Sequence, residues 1–304
     1  MDKVLIILLS LLIGFTIILV QFFLQSGGLK SIKISSNSPH YKPTFLICGP
    51  NNAGKTALFF KLTEGESQAG ELPTGTTTTV SSIEPNFGTV VLPIATPQIG
   101  KKFQLVDYPG HLKYWNLFRK LIKQDITLSQ ILGVVVVLDS SSAHWAKDSV
   151  QIEKLSKFLY NLLAITERKQ NGIDFLFAVN KSDLFDSLPV HRIRSILESE
   201  INKLIKNEIN SSAKTSGIDA LGDGGDDGDD DGEGNGAGDG AGGGGGVSRE
   251  SLREFWLGVI GSSDEDAVFT FDKLEGNMDF ASGSVTKNKI GPWEGWFDEK
   301  VVNP

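Results

Sequence analysis

Residues 49–56 of the chain read Gly49-Pro50-Asn51-Asn52-Ala53-Gly54-Lys55-Thr56. They fit the pattern G-x-x-x-x-G-K-[ST], in which glycines let backbone N–H groups wrap a chain of phosphates and the lysine reaches the outer phosphates. An apolar run, residues 44–48, precedes the motif, and a helical stretch, residues 55–62, follows it. This strand–loop–helix context predicts a phosphate-binding loop that extends to Ala57, with the Thr56 hydroxyl as a ligand of Mg²⁺.

Apolar strand candidates alternate with helical stretches along the rest of the chain. This alternation predicts an α/β fold in which a mostly parallel, six-stranded sheet has helices on both faces. The run LGVVVVL at 132–138 is apolar throughout and rich in β-branched residues, so we place it at the centre of the sheet. The predicted strands are 44–48, 89–92, 103–106, 132–138, 175–179 and 278–281, and the predicted helices are 55–62, 113–126, 147–165 and 190–209.

The N-terminus carries an apolar run, residues 4–24. A helix rises roughly 1.5 Å per residue, so this run is long enough to cross about 30 Å of hydrocarbon. We predict a single-pass transmembrane anchor at residues 1–26. The alternative is a cleaved signal peptide, but no A-x-A-like cleavage site follows the run. Lys30, Lys33 and Lys42 follow the run whereas one lysine precedes it, which places the rest of the chain in the cytosol.

Two polar segments flank or interrupt the remaining domain, residues 44–304. Residues 27–43 show no sustained periodicity of apolar residues and are predicted to be a short tether. Residues 210–247 consist mainly of Gly and Asp, cannot bury enough apolar surface to fold, and are predicted to be a disordered insertion. Helix and strand signals resume at 249–257 and 268–271. The insertion holds nine acidic residues of a chain whose net charge is −8, so the rest is close to neutral and no direct nucleic-acid contact is expected.

A second motif follows the predicted strand at 103–106. Asp107-Tyr108-Pro109-Gly110 matches D-x-x-G. In that pattern Asp107 holds Mg²⁺ through water, and the Gly110 N–H contacts the γ-phosphate and orders a switch segment. On its own the pattern also fits an ordinary turn after a strand.

A third motif, Asn180-Lys181-Ser182-Asp183, follows the predicted strand at 175–179 and matches N-K-x-D. The Asp183 carboxylate can accept hydrogen bonds from two neighbouring donors of guanine that adenine does not present. Asn180 can bridge the base and the phosphate loop, and the methylene stem of Lys181 can pack over the base. The three motifs in this order predict a site for GTP with Mg²⁺.

Two further contacts are predicted from position. A switch threonine is expected between the first two motifs, where residues 76–79 are all threonine, and we choose Thr79 as the second hydroxyl ligand of Mg²⁺. A loop near the base is expected after the last strand. Ser284 and Val285 stand there, and a backbone N–H from this pair would contact the guanine O6.

Taken together, these segments resemble the family of beta subunits of the signal recognition particle receptor. Ras-like and Arf-like proteins usually carry glutamine where His111 stands, so His111 is the most discriminating residue, and a long insertion before the last strand is common in the family. The similarity comprises the membrane helix, GPNNAGKT at 49–56, DYPGH at 107–111, VVVVLDS at 134–140, NKSD at 180–183, and GSV at 283–285 before a tryptophan-containing helix.

The resemblance implies a P-loop NTPase fold with a Ras-like G domain related to Arf, and binding of GTP and Mg²⁺. It also implies a single-pass location in the endoplasmic reticulum membrane with the G domain in the cytosol. The implied partner is the receptor alpha subunit, bound tightly in the GTP form. Together the two subunits would dock ribosomes bearing signal peptides at the translocon.

GTP hydrolysis is expected to be slow at most. Asn51 stands where rapid GTPases tend to have glycine, and His111 replaces the glutamine that orients water. An imidazole can also hold a water molecule, so catalysis by His111 and a structural function for His111 both stay open.

Two other functions stay open on sequence grounds. An Arf-like GTPase that cycles in membrane trafficking would share the three motifs. The spanning helix opposes that reading, as does Asp2, which stands where N-myristoylation needs glycine. A scaffold that keeps the fold without nucleotide is opposed by the intact Lys55, Thr56, Asp107 and Asp183.

Overall fold

The computed structural model describes residues 38–63, 79, 82–111, 114–146, 150–218, 249–261 and 268–303, with the backbone alone at 209–218 and 249–250. The predicted membrane anchor lies outside these residues, as do most of the predicted tether and of the predicted insertion. Among the helices that are described, none is both long enough and apolar enough to span a membrane.

Within the described ranges, six strands form a single sheet at the six predicted places, and five of them are longer than predicted. The strand order is β2-β3-β1-β4-β5-β6. β2 runs antiparallel to β3, and all other neighbours are parallel. The bounds are β1 Thr44–Cys48, β2 Asn86–Leu92, β3 Lys101–Asp107, β4 Ile131–Asp139, β5 Phe175–Asn180 and β6 Met278–Ser282.

The three central strands are the most apolar ones. Every residue of β1 and β5 is buried, and β4 has one half-buried residue. A strand covered by helices on both faces cannot alternate apolar with polar side chains, so these strands read as continuous apolar runs. The edge strand β2 instead alternates between exposed and half-buried positions over its first four residues.

Helices cover both faces of the sheet, and all four predicted helices have bounds that differ from the prediction, two of them by more than three residues. The helix predicted at 190–209 continues to Ile218, and the one predicted at 113–126 is an α-helix only up to Lys120, followed by a π-helical turn at Leu121–Asp125. The stretch 268–271 forms no strand. The bounds are α1 Lys55–Thr63, α2 Trp115–Lys120, α3 Val150–Thr166, α4 Val190–Ile218, α5 Arg249–Ile260 and α6 Gly291–Val302.

The last helix, α6, packs against one face of the sheet. Trp293, Trp296 and Phe297 of α6 are buried against the same face as α1. The indole N–H of Trp293 donates to the Ala281 carbonyl at 3.0 Å. Burial of each large aromatic side chain contributes roughly 1.5–3 kcal/mol, so α6 adds substantially to the stability of this face.

Parallel strands bring the predicted site residues to one edge. The carboxyl ends of β1, β3, β4 and β5 lie side by side, with Ile47 paired with Asp107 and Asp139 paired with Asn180. Ligands of open α/β sheets bind at this edge, outside the carboxyl ends of the strands. The first and third motifs are therefore neighbours although more than a hundred residues separate them.

Candidate nucleotide site

The loop after β1 has a backbone that requires glycine at two positions. Gly49 and Gly54 have φ angles of +133° and +98°. A Cβ atom at Gly49 would lie 2.3 Å from the Val137 carbonyl oxygen, and one at Gly54 would lie 2.3 Å from Asn180 Nδ2. The loop then leads directly into α1 at Lys55, so the N-terminal N–H groups of that helix face the loop and favour an anion there.

The Lys55 ammonium closes this loop. Its Nζ atom donates to the Pro50 carbonyl at 2.8 Å, and the residue is 6% exposed. Burial lowers the pKa of Lys55, and the nearby Asp107 carboxylate opposes that shift. A buried cation at the first residue of a helix is suited to hold phosphate oxygens.

A cluster of polar side chains surrounds Asp107, which is fully buried. Its Oδ2 atom accepts hydrogen bonds from the Thr56 hydroxyl at 2.7 Å and from Asn86 Nδ2 at 3.0 Å. In the described part of the chain its Oδ1 atom is buried without a hydrogen-bond partner. A buried carboxylate oxygen beside a hydroxyl is a donor set that Mg²⁺ prefers, so these residues fit the ion.

A serine that the sequence did not predict contacts this cluster directly. Thr79 is exposed and lines a small polar cleft with Lys55 and Thr56. The Ser82 hydroxyl lies 3.1 Å from Thr56 Oγ1 and 3.4 Å from Asp107 Oδ2. Residues 76–78, the other members of the threonine run, lie outside the described residues.

The second motif packs directly on the phosphate loop. A Cβ atom at Gly110 would lie 2.6 Å from the Gly49 carbonyl oxygen and 2.7 Å from Lys55 Nζ. The adjacent His111 is exposed and lines a cavity of about 300 Å³ between the loop and helices α2 and α3. Four aromatic side chains also line this cavity, Tyr108, Trp115, Phe118 and Phe158, together with polar and charged ones from α3.

The third motif joins the phosphate loop to the loop after β6. Asn180 Nδ2 donates to the Ala53 carbonyl at 2.8 Å, and Asn180 Oδ1 accepts from the Val285 N–H at 3.1 Å. Asp183 is exposed at the same edge, with its carboxylate available to a base. The structure thus brings together residues that the sequence spreads over more than 200 positions.

The predicted base loop has its own partners. The Ser284 N–H donates to the Lys289 carbonyl at 3.0 Å. The Val285 N–H donates to Asn180 Oδ1. A guanine O6 contact from either N–H therefore requires one of these bonds to be exchanged.

Comparison with known proteins identifies the family. The sequence matches the family described as signal recognition particle receptor beta subunit over residues 40–238, more than half of its length. The chain belongs to this family. The receptor beta subunit of Saccharomyces cerevisiae is 30% identical over 99% of this chain and 100% of its own length. That of Dictyostelium discoideum is 22% identical over 92% of this chain and 78% of its own length.

Solved beta-subunit structures share the fold. The SRb-GTP/SRX complex of Chaetomium thermophilum has a TM-score of 0.54 at 20% identity, with 85% of this chain and 98% of that one covered. The chain therefore has the Ras-like GTPase fold of the signal recognition particle receptor beta subunits.

Three side chains at the site of this beta-subunit family member carry contacts that sequence reasoning did not predict. Ser82 and Asn86 contact the Asp107 carboxylate, and Asp139 accepts a hydrogen bond from Lys181 at 2.6 Å. Asp139 directly ends a strand at the same sheet edge as the three motifs, and that position was the signal available in the sequence.

Proposed function

We propose that the chain is the GTP-binding subunit of the signal recognition particle receptor. Its GTP form binds the receptor alpha subunit and, with it, directs ribosomes bearing nascent signal peptides to the translocon. The observation that carries this proposal is Asn180, which bonds both the phosphate loop and the loop after β6, so that phosphate and base recognition share one rigid frame.

Different residues bind the phosphates, the base and the Mg²⁺ ion of the nucleotide. Lys55 and the N–H groups of the loop hold the β- and γ-phosphates, and Asp183 accepts from guanine. Thr56 and Asp107 hold Mg²⁺, which neutralises phosphate charge when bound. Ser82 or Thr79 supplies the hydroxyl that senses the γ-phosphate. The Gly110 N–H also contacts this phosphate and orders the segment at His111.

Slow hydrolysis suits this function. Asn51 stands in the phosphate loop and the exposed His111 stands where a glutamine would orient water, so the GTP form persists and can hold a partner. The fold likeness to a beta subunit solved with GTP and SRX supports the choice of partner. Residues 1–26 anchor the subunit in the endoplasmic reticulum membrane, with the G domain in the cytosol.

The test is capture of the alpha subunit by the full chain in detergent micelles loaded with GTPγS or GDP. Capture is expected with GTPγS and not with GDP. Thr56→Ala should abolish it, whereas Thr63→Ala, on the same helix but bonded to its own backbone at Phe59, should not. Equal capture with both nucleotides would contradict a GTP-dependent partner, and rapid hydrolysis without a partner would favour a cycling Arf-like GTPase.

A further inference from the structure

A buried carboxylate outside the three motifs holds one of their residues. Asp139 is the last residue of β4, is 5% exposed, and pairs in register with Asn180 at the end of β5. Its Oδ2 atom accepts a hydrogen bond from the Lys181 ammonium at 2.6 Å. Asp139 is thus tied to the lysine that follows Asn180 in the third motif.

The Asp139 carboxylate is itself fixed in place. Its Oδ1 atom accepts from the Ser141 N–H at 2.9 Å, and its Oδ2 atom lies 3.2 Å from His144 Nε2. Burial raises the pKa of Asp139, but hydrogen bonds from Lys181 and Ser141 more than offset that effect and hold the pKa below its usual value. The group is therefore a charged anchor with a single orientation.

The backbone of Lys181 is also held in place. Lys181 has a φ angle of +62°, in the left-handed region that side chains other than glycine seldom adopt. Its carbonyl accepts from the Leu184 N–H at 3.0 Å, and the Ser182 N–H donates to the Gly283 carbonyl at 3.1 Å. A lysine stem held at both its backbone and its ammonium presents its methylene groups as a fixed apolar surface.

We propose that Asp139 is a positioning residue for guanine nucleotide. By holding the Lys181 ammonium it fixes the lysine stem against the base and slows the dissociation of GDP and GTP alike. Asp139 acts through Lys181 and does not touch the nucleotide. The proposal rests on the proposed function, because it requires that this site binds guanine nucleotide.

The experiment measures dissociation rates of fluorescent GDP and GTPγS from the full chain in detergent micelles. Asp139→Asn should speed the release of both nucleotides about tenfold, which corresponds to about 1.4 kcal/mol. Because the effect is on the base side, the Mg²⁺ dependence of release should not change. The matched control is Asp186→Asn, at an exposed carboxylate that accepts from the Ser142 hydroxyl at 3.1 Å in the neighbouring loop, and its rate should stay within about twofold of wild type.

A double-mutant cycle separates positioning from a general structural function. In a Lys181→Gln background, Asp139→Asn should add less than about twofold, because the partner through which it acts is already gone. The same tenfold factor in both backgrounds would overturn the proposal. Asp139→Glu keeps the charge and shifts the carboxylate by one methylene group, so an intermediate rate is expected even if Asp139→Asn does not fold.

The failures of the two proposals are distinct. A wild-type chain that binds no guanine nucleotide refutes the proposed function. A wild-type chain that binds guanine nucleotide, together with a wild-type release rate in Asp139→Asn or Asp139→Glu, refutes the function of Asp139 alone.

Discussion

The side-chain amide of Asn180 lies 2.8 Å from the carbonyl oxygen of Ala53, across the gap between β5 and the phosphate loop. Its other amide atom accepts from the Val285 N–H, so a single buried side chain joins three loops. Neither loop backbone can move without breaking a bond to Asn180. The phosphate end and the base end of the site are therefore held as one unit.

Asn180→Ala should destabilise the protein and loosen the site together. The substitution leaves the Ala53 carbonyl and the Val285 N–H without their partner, a loss of about 1–3 kcal/mol in the free energy of unfolding. Guanine nucleotide should dissociate faster for the same reason. Chemical denaturation and nucleotide release check both effects. Asn161→Ala, which removes a bond to the carbonyl of Lys157 within α3, is the control and should leave both measurements near wild type.

Gly54→Ala should prevent the phosphate loop from forming. The new Cβ atom would meet Asn180 Nδ2 at 2.3 Å and would also sit at a φ of +98°. Nucleotide binding should fall below detection in equilibrium titration. Gly258→Ala is the matched control because, among the described residues, no atom beyond its own helical backbone and chain neighbours lies within 4 Å of a Cβ atom there. Gly258 is inside α5, so its replacement should stabilise the protein by about 0.5–1 kcal/mol.

Lys55→Met should abolish nucleotide binding and raise the stability of the nucleotide-free protein at neutral pH. Burial lowers the pKa of Lys55, so the unfolded chain binds its proton more strongly than the folded chain does. The stability of the wild type therefore rises with pH between the lowered folded pKa and the ordinary value of 10.5. The Lys55→Met variant does not carry this titrating group. The amount by which its free energy of unfolding exceeds that of the wild type should therefore shrink as pH rises through that window.

Urea denaturation at a series of pH values provides the measurement. Lys61→Met is the control, since Lys61 is exposed on the same helix. A stability difference between Lys55→Met and wild type that is constant over the whole series would show that burial of the charge is not its cause.

Ser82→Ala and Thr79→Ala should differ in their effect on the Mg²⁺-dependent preference for GTP over GDP. The Ser82 hydroxyl bonds Thr56 and Asp107, so its loss should reduce that preference about tenfold, equivalent to about 1.4 kcal/mol. Thr79→Ala should reduce it less. Titration of both nucleotides with and without Mg²⁺ shows which hydroxyl carries the preference. A larger loss in Thr79→Ala than in Ser82→Ala would favour Thr79, the residue predicted from the sequence.

The strands were predictable because burial on both faces leaves a simple signature. The continuous apolar runs of β1, β4 and β5 are visible in the sequence, and each of two motifs follows one of these strands directly. The two ends of α4 show where this reasoning weakens. Its start at Val190 was predicted, but its end at Ile218 was not, because the apolar period fades in its last turns while the backbone stays helical.

The site residues that belong to motifs of fixed spacing could be predicted from the sequence. The motifs predicted Lys55, Asp107 and Asn180, and in the structure Asn180 bonds the phosphate loop that leads into Lys55, while Asp107 bonds the neighbouring Thr56. Asn86 and Asp139 could not be selected in the same way. Their contacts arise from strand register, which sets Asn86 beside Asp107 and Asp139 beside Asn180, and sequence spacing does not encode that register.

Selective binding of guanine nucleotide at this site can be measured by competition binding to the full chain. Fluorescent GDP bound in the presence of Mg²⁺ is displaced with GTP, GDP or ATP in turn. Displacement by GTP and GDP is expected at concentrations at which ATP has no effect. Displacement by ATP as readily as by GTP, or no binding of fluorescent GDP at all, would contradict selective binding of guanine nucleotide.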